Sequence, residues 1–208
     1  MLTRNSIAGA ILAGGKASRM EYQDKSLLLL ANRPLIEYTI ELAAPQVAEL
    51  LICANHNQAR YSYLSLPMIA DQINPYGGPL VGIYSALCWL ADNRLDRKIS
   101  HLACFPGDVP VFPRDLVEKL AVAIDQTGAQ VAFSKSDEQL QPLFSLWSTT
   151  TQDILEKAIL KNLCGPKLIL PRLNSVAVQF AELSTRDFLN VNTPEDLSTM
   201  ERLIAANN

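Results

Sequence analysis

Residues 12–28 read LAGGKASRMEYQDKSLL, setting Gly14 and Gly15, then Lys16, Arg19 and Lys25, directly behind an apolar run. Glycine lacks a Cβ, so the backbone at 14 and 15 can bend sharply and approach a ligand closely. Successive backbone N–H groups in such a bend can share one concavity and hold an anion. Lysine adds a mobile point charge and arginine a forked donor, a combination suited to phosphate oxygens. Taken alone, the same residues also compose an ordinary solvated turn. Two familiar phosphate motifs are excluded. G-x-x-x-x-G-K-[ST] needs a second glycine ahead of its lysine, and G-x-G-x-x-G fails because Lys16 and Ala17 occupy its spacing.

Four further stretches carry usable groups. Asp108 follows the apolar residues 99–105 in FPGDVP. Mg²⁺ takes one or two carboxylates and completes its shell with water and substrate phosphates, so one strand-end aspartate suffices, although a Pro/Gly turn also uses aspartate structurally. Asn55 ends LLICAN; its amide can donate and accept, toward a ligand or toward its own backbone. In NPYGGPLVG (74–82), Gly77 and Gly78 permit close approach and Pro79 suits a first helical turn, an arrangement that a tight loop-to-helix entry also explains. In FLNVNTPEDL (188–197), Thr193 as N-cap, Pro194 at N1 and Asp196 in the capping-box position specify a helix start. Capping leaves Asn190 and Asn192 without a role, and alternation puts both on one face of an extended segment.

These motifs together resemble the nucleotidyltransferases that make sugar nucleotides and related products. Residues 12–20, Asp24-Lys25, Leu27-Leu28 and Arg33-Pro34-Leu35-Ile36-Glu37 resemble the opening signature L-A-G-G-x-[ST]-x-R-M-G-x-x-K-x-L followed by P-L-I-E. The Asp24-Lys25 pair and the later motifs most resemble the molybdenum cofactor guanylyltransferase family, across residues 12–197. The resemblance implies transfer of GMP from GTP, with Mg²⁺, to the terminal phosphate of molybdopterin or its molybdenum-loaded form, releasing pyrophosphate. It implies nucleotide contacts at Leu12, Ala13, Gly14, Gly15, Lys25, Asn55, Asp71, Gly78 and Asp108. Arg19, Lys25 and Asp108 would be catalytic, with Asp108 the metal ligand. Gln141-Pro142, Lys167, Asn190 and Asn192 would border the acceptor; Lys167 and Arg172, taken singly, also read as solvated surface. Asp71 could accept the paired N1–H and N2–H₂ donors of guanine, which adenine does not present. The acceptor phosphate is already ionised, so no general base is needed, in keeping with His56 and His101 lying outside every motif.

Two departures stand out: Glu21 replaces a usual glycine near the phosphate loop, and Gly107 replaces the cysteine of P-C-D-x-P, with packing rather than metal binding expected to change. The alternatives are a related enzyme, transferring cytidylyl to molybdopterin or a nucleotidyl group to a sugar phosphate, and a catalytically silent GTP-binding regulatory or adaptor protein. The expected partners are molybdopterin or its molybdenum-loaded form, with transient contacts to cofactor-insertion or molybdoenzyme proteins.

The elements that must position these groups follow from periodicity. With 208 residues, 49% of them hydrophobic, the chain suits one domain, 1–208, whose nucleotide part spans about 1–112 and acceptor part about 113–208. A net charge of −3 argues against a general nucleic-acid binder. No run of some 18 apolar residues appears, so no membrane span is expected, and the N-terminal apolar run reads as a strand rather than a signal peptide. Cys53, Cys88, Cys104 and Cys164 form no C-x-x-C and read as core residues of a cytoplasmic protein. Strands are expected at 7–13, 49–54, 67–70, 99–105, 131–134 and 142–147, the last two joined by a polar turn at 135–141. Helices are expected at 34–44, with Leu35, Ile36, Ile40 and Leu42 inward; at 80–90; at 114–127, with Leu116, Leu120, Val122 and Ile124 inward; and at 151–163, broken by Gly165-Pro166-Lys167. Strand, helix, strand within about fifty residues is a right-handed βαβ unit with ligands at the strand C-terminal ends. The expected fold is an α/β three-layer sandwich with a Rossmann-like, mostly parallel sheet and one or two antiparallel strands, bringing the tips near Gly15, Asp108 and Asn192 together.

Overall fold

The structure is a computed structural model that describes residues 1–13, 24–55, 58–73, 77–93, 98–137, 139–180 and 187–205. Expectations placed on Gly14, Gly15, Lys16, Arg19, Glu21 and His56 lie outside the described residues. In chain order the elements are β1 (Ile7–Leu12), β2 (Leu29–Leu30), β3 (Arg33–Pro34), α1 (Leu35–Ala43), β4 (Glu49–Cys53), β5 (Met68–Ile69), α2 (Pro79–Asp92), β6 (His101–Pro106), α3 (Leu116–Thr127), β7 (Val131–Ser136), β8 (Gln139–Ser148), α4 (Gln152–Ile159), α5 (Pro166–Ile169), β9 (Ser175–Phe180) and α6 (Pro194–Ala205).

One seven-stranded sheet runs in the order β5-β4-β1-β6-β8-β7-β9. β1 pairs in parallel with β4 and β6, β4 with β5, and β7 with β9; β8 alone runs antiparallel, to β6 and β7. The mixed sheet arises because β7 and β8 form a hairpin, after which β8 returns to the edge of β6. Strand period sorts β1 between two cores. Ile7 and Ile11 join Ile36, Leu116, Leu120 and Ile124 on the α1/α3 face. Ala8 and Ala10 join Leu80, Ile83, Leu87, Leu155 and Ile159 on the α2/α4 face. Each fully buried Ile or Leu contributes about 1.5–3 kcal/mol of hydrophobic stabilisation, which commits β1 to the centre of the sandwich.

Several local expectations are corrected. Val122 is 46% exposed, and the buried face of α3 is Leu116, Val117, Leu120, Ala121 and Ile124. Residue 122 lies about 200° around the helix from Leu120, on the opposite side. The polar residues 135–141 are largely strand, since pairing continues to Ser136 opposite Gln139 past a bulge at Phe133/Ser134. The helix expected to 163 stops at Ile159, and Pro166, expected only to break a helix, opens the short α5. The edge strand β9 and the β2–β3 hairpin are additions. The hairpin turns through Ala31 and Asn32 at φ 49° and 63°, where an L residue other than Asn or Gly is strained. Because Ala31 is exposed, Ala31→Gly is expected to stabilise the fold by roughly 0.5–1 kcal/mol, read as a Tm rise of about 2 °C.

The hairpin has a positional purpose. Leu30 on β2 and Leu35 opening α1 pack with Val191 and Met200 in a small third core, so the C-terminal segment is clamped across the hairpin that follows Lys25. Phe188 is likewise anchored, its ring packed edge-to-face 4.7 Å from Phe144 and 5.8 Å from Phe180. It adopts φ 63° and donates its N–H to the Val111 carbonyl at 3.0 Å. The left-handed backbone costs about 1–2 kcal/mol and is held by this burial, so the chain emerging at Asn190 has a defined direction. Among the described residues no helix is long and apolar enough to cross a membrane.

Candidate active site

The C-terminal ends of β1, β4 and β6 open into a cavity of about 440 Å³. Its wall is continuous because the strand ends are tied together: Ala13 N–H donates to Cys53 O at 2.9 Å and Gly107 N–H to Leu12 O at 3.1 Å. Of the residues singled out in the sequence, Leu12, Ala13, Lys25, Asn55, Asp71, Gly78 and Asp108 all line it. Ser26, Cys53, Pro79, Gly82, Pro106 and Leu143 line it too. Ser26 could have been found only from its place beside Lys25, and Leu143 from its place beside Gln141-Pro142. Pro142 itself is buried and Gln141 half-buried on β8. Lys167 and Arg172 are exposed and do not line the cavity. His101 is buried at the start of β6, the far end of that strand from the cavity, and desolvation lowers its basicity.

Asn55 and Asp71 hold each other. The Asn55 amide donates to Asp71 Oδ2 at 2.5 Å and accepts from the Asp71 backbone N–H at 2.6 Å. This reciprocal pair uses Asn55 to fix the orientation of the Asp71 carboxylate. The other carboxylate oxygen looks toward Gly82, 3.9 Å from where a Cβ on that residue would sit, with Leu12 Cδ2 3.3 Å from the same point. A side chain at 82 would therefore fill the floor between Leu12, Cys53 and Asp71. Gly78, at φ 93°, caps α2 where a Cβ would come within 3.0 Å of the Cys164 carbonyl, so the backbone itself forms this edge.

Opposite lies the charged end. The Asn190 amide, in the orientation that satisfies its hydrogen bonds, donates to both Asp108 oxygens at 3.1 Å, and Val191 N–H donates to Asp108 O at 3.2 Å. Burial raises the Asp108 carboxyl above its ordinary value of 3.8, with the positive charge of Lys25 acting against that rise. Lys25 Nζ donates to Asn192 Oδ1 at 2.5 Å, a contact across 167 residues of sequence. Asn192 is held in turn, since its N–H and that of Thr193 both donate to Asp196 Oδ2 at 2.9 Å while Asp196 N–H donates to Thr193 Oγ1 at 3.1 Å. The expected capping box is thus present, and it orients the residue that meets Lys25.

Removing the cap with Thr193→Ala is expected to cost about 1 kcal/mol, a Tm fall of about 2–4 °C. The Asp196 partner supplies a pH signature. Hydrogen bonds from the Asn192 backbone, and secondarily from Thr193, hold its carboxyl below 3.8. Its contribution is therefore present above the unfolded value and lost as pH falls through the lower folded one. The Tm gap between Asp196→Ala and the parent should be open at neutral pH and close in acid.

Among the described residues no group of three or more His, Cys, Asp or Glu gathers to hold a metal by itself. The donor set at the cavity is the Asp108 carboxylate beside the Asn190 amide. That suits a hard divalent cation whose shell is completed by water and phosphate oxygens, and does not suit a cation needing an all-protein cage. Among the described residues, one cationic side chain, Lys25, and two carboxylates, Asp71 and Asp108, thus face a common space able to hold an anion beside a hydrogen-bonding heterocycle.

Residues 9–174 match the family model described as the MobA-like NTP transferase domain. The chain is 38% identical over 193 residues to the molybdenum cofactor guanylyltransferase of Shewanella putrefaciens, covering 91% of this chain and 93% of that one. It is 35% identical over 202 residues to the Shewanella woodyi protein of the same name, with coverages of 96% and 97%. Among solved structures it is similar to molybdopterin-guanine dinucleotide biosynthesis protein A from Archaeoglobus fulgidus, with a TM-score of 0.75, 24% identity and coverages of 96% and 99%. That likeness shows the α/β fold.

Proposed function

The chain belongs to the MobA-like NTP transferase family, and from that premise and the geometry of the cavity we infer that it transfers GMP from GTP to molybdopterin, forming the guanine dinucleotide cofactor and releasing pyrophosphate. The observation that carries this reading is the convergence of the Asn55-oriented Asp71 carboxylate with Lys25 and Asp108 in one cavity. Asp71 offers two acceptor oxygens to the N1–H and N2–H₂ edge of guanine, and Lys25 and Asp108 stand at the phosphate end.

In the reaction a phosphate oxygen of the acceptor attacks the α-phosphorus of GTP, and the bond to the bridging oxygen of the β-phosphate breaks, so pyrophosphate leaves with that electron pair. Both reactants are anions, and the chain's task is to align them and offset their charge. Lys25 supplies positive charge to the triphosphate, and Asn192, fixed by Asp196, holds its ammonium in place. No proton has to be removed from an ionised phosphate, so no base is required. Asp108, its carboxylate oriented by the Asn190 amide, would hold Mg²⁺, which when bound supplies Lewis-acid stabilisation of the phosphate oxygens. Arg19 belongs with Lys25 in this reading. The nucleotide part is assigned to about residues 1–112 and the acceptor part to about 113–208; among the described residues, all that line the cavity except Leu143 come from the first span.

The test is pyrophosphate release with each of the four nucleoside triphosphates, Mg²⁺ and molybdopterin, with mass spectrometry of the product. A guanine dinucleotide formed from GTP is expected. Strong preference for CTP would replace the reading with cytidylyl transfer, and tight GTP binding without product would mark a silent binding protein.

A further inference from the structure

Lysine is a flexible cation on a four-carbon stem, so its aim depends on how firmly its backbone is held. Lys25 starts a single 3-10 turn, Lys25–Leu27, with Asp24 before it. Beneath that turn sits Tyr61, 1% exposed, on the 3-10 segment Gln58–Leu64 that follows the Asn55 loop. The phenol oxygen lies 2.7 Å from Ser26 Oγ, which is itself buried, and the phenol also hydrogen-bonds the Asp24 carboxylate. We propose that the Tyr61 hydroxyl is a positioning group for Lys25, tying the residues on either side of it to the segment beyond β4.

The direction of the network follows from chemistry. A carboxylate only accepts, so the phenol O–H donates to Asp24 and the Ser26 O–H donates to the phenol oxygen. Burial holds the phenol well above its usual titration range, so it keeps that proton. Ser26 carries the contact onward, because its Cβ lies 3.1 Å from where a Gly107 Cβ would be. With glycine at 107 the Ser26 side chain fits directly against the turn that presents Asp108. A phenylalanine would fill the same core volume, whereas a buried hydroxyl costs stability unless it is bonded; the network accounts for the oxygen.

The inference takes from the proposed function only that Lys25 meets phosphate. Tyr61→Phe in the full chain is to be compared with the parent by thermal melting, by calorimetric titration with inorganic pyrophosphate, and by kcat and KM for GTP with molybdopterin. All are repeated in the Lys25→Ala background. The expected result is a fall of about tenfold in pyrophosphate affinity and in kcat/KM with Tm within a few degrees. In the Lys25→Ala background the same change should cost less than about twofold, because residues acting through one another are not additive. Asp24→Ala, at the half-exposed end of the network, should give the same non-additive pattern whether or not the phenylalanine variant melts early. Unchanged affinity and turnover in Tyr61→Phe, or an equal loss with and without Lys25, overturns the proposal. Should the parent turn over no GTP while the pyrophosphate titrations behave as expected, the brace stands and the guanylyl reading falls.

Discussion

Lys25→Ala is expected to lower kcat/KM for pyrophosphate release from GTP by at least about 100-fold, with Tm changed by only a few degrees. The small stability effect follows because, among the described residues, the half-buried Lys25 makes one side-chain hydrogen bond, to Asn192, and a typical such bond is worth about 0.5–1.5 kcal/mol net. The large kinetic effect follows because a preorganised cation in a partly desolvated site stabilises charge that shifts onto pyrophosphate as it leaves. The loss has a second component: with the ammonium gone, the largest influence opposing the desolvation of Asp108 is removed, so that carboxyl should titrate higher still. Steady-state pyrophosphate release beside a thermal melt measures both. Near-normal turnover by a folded Lys25→Ala chain would remove Lys25 from the chemistry and with it the proposed function.

Asp108→Ala and Asp108→Asn are expected to lose at least about 100-fold in turnover as well, and the asparagine variant separates chemistry from stability. The Asp108 carboxyl is raised above 3.8 by burial, so the folded state disfavours its ionised form. For a carboxyl shifted upward, the stability cost grows as pH rises from the unfolded value to the folded one and is then constant. Asp108→Asn removes that cost, so its Tm at neutral pH should be no lower than the parent's, any gain fading in acid. The parent's kcat/KM should fall on the acid side at a pH above 3.8, since only the ionised carboxylate can hold a divalent cation. A variant that unfolds, or one that keeps full turnover, would each contradict this account.

The two sets of variants bear on the departure at Gly107. Glu21 lies outside the described residues. At Gly107 the space a Cβ would take is bounded by Ser26 Cβ at 3.1 Å, Ile11 Cγ2 at 3.3 Å and Leu12 O at 3.4 Å, so the residue bears on how the Lys25 turn packs against the Asp108 turn.

Local chemistry made much of this protein legible. The apolar run Ile7–Leu12, Pro34 ahead of α1, the glycine and proline opening α2, and Thr193 with Asp196 at the start of α6 each specify their own backbone through sterics or capping bonds a few residues long. Those signals need no partner from elsewhere in the chain. The β2–β3 turn was hidden because Ala31 occupies a left-handed position that ordinarily announces itself with glycine or asparagine. Strand β9 was hidden because its exposure pattern, with Ala177 and Gln179 exposed and only Phe180 fully covered, reflects an edge position beside β7 that periodicity does not encode. Tyr61 carried no motif at all; its hydroxyl acquires meaning only from Ser26 and Asp24, more than thirty residues away.

By itself the sequence determined which residue types were available for phosphate and cation chemistry, and the strands and helices that carry most of them, because backbone sterics, capping and hydrophobic period act over a few residues. Tertiary structure alone decided which of those groups meet. The strand order that places β4 and β6 on either side of β1 brings Leu12, Cys53 and Pro106 to one rim, and the small core of Leu30, Leu35, Val191 and Met200 lays Asn192 against Lys25. The same packing leaves Lys167 on the surface. Such pairings depend on apolar faces buried together across long stretches of chain, a many-body balance that the spacing of any one motif cannot express.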